Sequence, residues 1–138
     1  MGKIVIDNNK GDIKKIEVLS ETLRHRNEHI GGHYFVTDVK VTYFNGIEEE
    51  LRLYDVTSEG ACEELKEICF KETVLHSLAR FCENAEYNQD EDSLELWEGL
   101  YNKVTSNLDL TEQDIEDINV CVRVCTVFDK FDYNTFIR

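Results

Sequence analysis

Three histidines recur at four-residue intervals, His25, His29 and His33. On a helix that spacing stacks three imidazoles along one face. Glu28 stands beside them as an acid or a further ligand, a donor set suited to zinc or a similar transition metal. Gly31-Gly32 interrupts the stack, and no His-Glu-x-x-His motif is present. The segment reads as a polar loop between strands, and the expectation is that the three histidines do not close a metal site.

The cysteines offer a second chemistry. Cys62 and Cys69 lie seven residues apart, Cys121 and Cys125 four, and Cys82 stands alone. None of these spacings is Cys-x-x-Cys. Two helical turns keep Cys62 and Cys69 on one stripe with Leu65, so these thiols are expected to pack as small apolar groups. An odd number of cysteines in helical segments predicts free thiols in a reducing compartment, with Cys62, Cys69 and Cys82 mostly buried. A Cys nucleophile with His76 as base lacks a third group to orient it.

Carboxylates are too abundant for any one pair to mark a catalytic dyad. Glu48-Glu49-Glu50 reads as a solvated strand start. Asp90-Glu91-Asp92 resembles a cation loop, but the twelfth position from Asp90 is Tyr101 where the calcium pattern needs Glu. No phosphate-cradling glycine loop, Gly-x-Ser-x-Gly or kinase motif set is present.

Charge distribution carries more information than any motif. The 138 residues hold a formal charge of −14. Residues 1–44 carry seven Lys/Arg and six Asp/Glu, whereas residues 45–138 carry eight and 23. Between 81 and 122, twelve acids face the single base Lys103. Such a field repels DNA and RNA and attracts cationic surfaces. No apolar run approaches the roughly 18 residues a membrane span needs. The first residues lack the apolar stretch of a signal peptide, and Ile6 stands where myristoylation wants Ser or Thr. Together these predict a soluble, cytoplasmic chain, acting in the host cytoplasm if viral.

The elements that must position these groups divide by period. Strand patterns come first and helix patterns afterwards, which predicts one α+β domain over 1–138. A four-stranded, mostly antiparallel meander is expected over about 3–56. It would begin with Lys3–Asp7 and the turn Asn8-Asn9-Lys10-Gly11. Residues 13–23 read as strand or helix, with strand favoured. In the hairpin at Asn45-Gly46, a two-residue loop would place Val39 opposite Arg52. A three-residue loop places it opposite Leu51, so an odd loop or a bulge is required. Three helices, 58–84, 93–106 and 111–128, are expected to pack on one face or end of the sheet. Thr111 and Asp114 form a capping box, although β-branched residues from Val120 to Phe128 could extend part of the last helix as a strand. The aromatic tail Phe128, Phe131, Tyr133 and Phe136 is expected to pack.

The pattern that remains is an acidic helical surface with aromatics interleaved: Glu83, Glu86, Tyr87, Asp90, Glu91, Asp92, Glu95 and Glu98, near Trp97 and Tyr101. Acids at helical spacing can imitate a phosphate track and meet Arg/Lys clusters. The functional expectation is a non-catalytic binding protein without cofactor. It would neutralise a basic nucleic-acid-handling protein such as a nuclease, in the manner of phage anti-defence or toxin-immunity proteins, without touching nucleic acid or membrane itself. The alternative is a domain that sequesters a nucleotide-like small molecule between sheet and helices. A homo-oligomer is compatible with either.

Overall fold

β-Branched and alternating residues from Val5 to Tyr54 form four strands: β1 Val5–Asp7, β2 Ile13–His25, β3 His33–Tyr43 and β4 Glu48–Tyr54. They pair in sequence order, each antiparallel to the next. Among the described residues five helices follow, where three were expected: α1 Ser58–Lys66, α2 Phe70–Tyr87, α3 Glu91–Thr105, α4 Glu112–Cys125 and the single turn α5 Tyr133–Phe136. The computed structural model describes residues 4–27 and 29–137. Lys3, the expected first strand residue, and Glu28, the candidate acid beside the histidines, lie outside them. The chain divides into two compact units, Met1–Ile68 and Cys69–Arg138.

In the first unit, β2 shows why its sequence reads two ways. Ile13 and Ile16 are three residues apart, a helical spacing, yet both are fully buried beside Tyr43 and Val41 of β3. A register shift between Ile13 and Lys15 returns them to one face of the sheet. A second shift, between Val18 and Ser20, puts Glu21 opposite Thr37. Each bulge inserts one residue and so inverts the alternation that follows. At the next hairpin Val39 faces Leu51, as the odd loop requires. Tyr43 N–H donates to Ile47 O at 2.9 Å, and Gly46 takes φ +87° in the three-residue turn. That left-handed conformation is open to glycine at no steric cost.

The opposite sheet face carries charge ladders. Arg52 spans both oxygens of Asp38 at 2.8 and 3.1 Å, and Lys40 lies 3.3 Å from Glu17 and 3.9 Å from Glu48. Glu49 departs from the expected solvated acidic strand start. It lies on the buried face and accepts a 2.6 Å hydrogen bond from Tyr43 Oη, while Glu48 and Glu50 are exposed. Strand alternation selects the middle acid, and the tyrosine hydroxyl satisfies it.

Helix α1 packs Ala61, Cys62 and Leu65 inward and lies against β2. Its N-terminus is held twice. Thr57 accepts from Gly60 N–H, and Glu21 Oε2 accepts from Ser58 N–H at 2.6 Å. The uninterrupted helix expected over 58–84 is two helices, α1 and α2. The β1–β2 turn ends the first of them: Asn8 Nδ2 donates to Lys66 O at 3.2 Å and Asp12 N–H donates to Ile68 O at 2.8 Å. Those carbonyls find partners from another element and not from a continuing helix. The cap is tertiary, so no local stop signal marks it.

The second unit contains α2 to α5. Val74, Ser77 and Leu78 of α2, Leu100 and Val104 of α3, and Ile118, Cys121 and Val122 of α4 are buried. Phe70, at the start of α2, sits among Phe128, Phe131 and Phe136, with ring centroids 5.2, 5.8 and 5.3 Å away. The aromatic tail is therefore packed, as expected. The β-branched run stays helical to Cys125 and then leaves the helix. No described helix is long and apolar enough to cross a membrane.

Candidate acidic docking surface

The predicted acids fall on one helical hairpin of the second unit. Glu83, Glu86 and Tyr87 end α2, Asp90 lies in the turn, and Glu91, Asp92, Glu95 and Glu98 run along α3. All eight side chains are exposed, Tyr87 to 87%. The helix starts two residues before the expected Ser93, because Asp90 is its N-cap. The Asp90 carboxylate accepts from Ser93 Oγ at 2.7 Å and from Ser93 N–H at 3.2 Å. The serine hydroxyl, then the serine amide, hold this carboxyl below the usual aspartate range. Asp90 thus contributes charge to the surface while its oxygens are engaged in capping.

Two grooves gather most of the others. One of about 420 Å³ between α2 and α3 brings together Glu83, Glu98, Cys82 and Tyr101. A neighbouring one of about 440 Å³ lines up Glu91, Glu95 and Glu98 on one side of α3. Glu86, Asp90 and Glu91 border a third near the turn. Asp92 lines none of these, since one helical residue turns it about 100° from Glu91. Tyr87 faces another way, into a groove of about 480 Å³ shared with Arg80, Glu83 and Val124. Trp97 is half-buried and meets Phe81 edge-on at 4.8 Å.

The surface is electrostatically uncompensated. Lys103, the sole base from 81 to 122, lies 2.8 Å from Asp114 at the start of α4. Among the described residues no ion pair engages Glu83, Glu86, Glu91, Asp92, Glu95 or Glu98. Their field is felt at Cys82, whose thiol is pushed up first by burial and then by Glu98 and Glu83. Cys69, at the N-cap position of α2, and Cys82, which opens onto the acidic groove, are partly exposed though still mostly buried. Cys62 is buried, and all five cysteines are free. Sequence reasoning missed the apolar pair Val120 and Val124 on the outer side of α4, exposed to 49 and 69%. Its signal is a second i, i+4 spacing beside the buried series.

The capping box at Thr111 is complete, each of Thr111 and Asp114 accepting the other's backbone N–H. Lys103, then the Thr111 amide, lower the Asp114 pKa. A depressed carboxyl contributes stability above its unfolded value, near 3.9, and loses it as pH falls through the folded value. Replacing Asp114 by Ala is expected to cost about 0.5–2 kcal/mol at neutral pH. The gap to the wild type should close below about pH 4, as read by urea unfolding at both pH values.

The histidines do not converge in the same way. His25 and His33 face each other across β2 and β3, with ring centroids 4.3 Å apart. His29 lies in the connecting turn, where Asn27 Oδ1 accepts its backbone N–H. No group of three metal-ligating side chains is found among the described residues. His76 is exposed on α2. No family model, no curated protein and no solved structure matches this chain.

Proposed function

We propose that the chain is a non-catalytic binding protein that lays the acidic α2–α3 hairpin onto a basic, nucleic-acid-handling protein and occupies that protein's nucleic-acid surface. The observation that carries this reading is the exposed array of carboxylates on α2, the turn and α3, unpaired with any base among the described residues. Glu91, Glu95 and Glu98 rise along the helix axis in steps of about 6 and 4.5 Å. A nucleic-acid strand presents a phosphate about every 3.4 Å, so an Arg/Lys row that tracks phosphates meets comparable charge here. Anti-defence and toxin-immunity proteins are the class of activity this suits.

The carboxylate-lined grooves favour amines and guanidinium groups and repel phosphate. That ranks a basic protein above a nucleotide-like ligand at these positions. The test is an affinity pull-down from the native host, run at low and at high salt. A basic protein retained at low salt and shed at high salt is the expected result. Retention of a small molecule alone, insensitive to salt, would favour sequestration instead.

A further inference from the structure

Among the described residues strand β4 is an edge of the sheet, paired on one side only with β3 and without a bulge from Glu48 to Tyr54. Tyr43 N–H reaches Ile47 O, and Asp55 N–H reaches Phe35 O. Odd-numbered residues of β4 therefore turn their backbone groups toward β3. Glu50, Arg52 and Tyr54 turn theirs to the open edge. Edge strands are templates for further pairing unless they are short, bulged or guarded by proline or by charged side chains. β4 is seven residues long and contains no proline, and its charges, Glu48, Glu49, Glu50 and Arg52, admit only a strand that sets opposite charges against the exposed ones.

We propose that β4 pairs antiparallel with β4 of a second copy about Leu51, joining two four-stranded sheets into one of eight. Only registers that pair outward-facing residues are available, and charge selects among them. Centring on Glu50 sets Glu48 opposite Arg52 of the second copy twice but brings two Glu50 carboxylates together on the axis, and centring on Arg52 brings two guanidinium groups together there. Centring on Leu51 puts Glu50 opposite Arg52 of the second copy, twice by symmetry, and Tyr54 opposite Glu48 of the second copy. Opposite charges facing across strands are favourable and like charges are not. Such an isologous contact closes at two copies. It is smaller than a standard interface, so a dissociation constant between about 1 µM and 1 mM is expected.

Sedimentation of the full chain over that concentration range reads the dimer directly. Glu50→Lys alone, or Arg52→Glu alone, places like charges opposite each other and should weaken dimerisation at least about tenfold. Mixing the two variants restores both attractive pairs and should restore the dimer. Arg52 also holds Asp38, so Arg52→Glu could disturb the fold. A chain carrying Glu50→Cys mixed with one carrying Arg52→Cys gives the independent check. Mild oxidation should link position 50 to position 52 in the mixture, identified by peptide mapping, and link neither variant to itself through those positions. A monomer throughout the range, a dimer unaffected by either charge reversal, or a mixture with no 50–52 link would overturn the proposal.

Discussion

Replacing Phe70 by Ala should lower the stability of the second unit by about 3–5 kcal/mol, the range for removing a fully buried aromatic ring. Phe70 is completely inaccessible and is the shared neighbour of Phe128, Phe131 and Phe136. Deleting its ring leaves a cavity bounded by residues from the start of α2 and from the tail, and edge-to-face contacts are lost as well. Urea unfolding followed by Trp97 fluorescence measures this, because Trp97 is the only tryptophan and lies against Phe81 in the same unit. A cost below about 1 kcal/mol, typical of a surface site, would mean that the aromatic cluster does not hold the tail.

Gly11 and Gly99 should respond to alanine with opposite signs. A Cβ on Gly11 would lie 2.5 Å from Ile68 O and 2.7 Å from Lys66 O, both backbone atoms that accept the bonds ending α1. Neither carbonyl can step aside without breaking that cap, so Gly11→Ala is expected to cost about 1–3 kcal/mol. Exchange of the Asp12 amide, bonded to Ile68 O, should accelerate. Gly99 is exposed within α3 and a Cβ there meets nothing within 4 Å. Gly99→Ala should stabilise by about 0.5–1 kcal/mol through helix propensity. Thermal melts of the two variants compare the signs directly. Equal effects would contradict the close approach of the β1–β2 turn to α1.

The same contact explains where the sequence was and was not legible. Period and parity placed the meander, and the hairpin register followed from parity alone, because one residue of slip would have put Val39 against Arg52. The capping box announced α4 through Thr111 and Asp114. The break between α1 and α2 could not be read. Residues 58–84 hold apolar groups at helical spacing throughout, and the groups that stop α1, on Asn8 and Asp12, lie more than fifty residues away in the chain. Ile13 and Ile16 let residues 13–23 read two ways, because a bulge between them imitates a helical interval, and the favoured strand is what forms. The acids of α2 and α3 were placed on solvent by amphipathic spacing, but their division among grooves was not. Asp90 as a cap and Asp92 turned aside follow from local helix geometry, whereas Tyr87 facing α4 depends on how the helices pack.

In the proposed function the α2–α3 carboxylates steer a basic partner. The field of exposed charges reaches about 8 Å at physiological salt, so it acts chiefly on encounter, and exposed charges contribute little to stability. The most direct test is the association rate of the pulled-down partner with the wild type and with Glu91, Glu95 and Glu98 all changed to Lys, measured across ionic strength. The variant should fold as the wild type does, associate at least about tenfold more slowly, and lose the steep salt dependence. A correctly folded variant that keeps the wild-type rate, affinity and salt slope would show that the acidic face does not dock the partner.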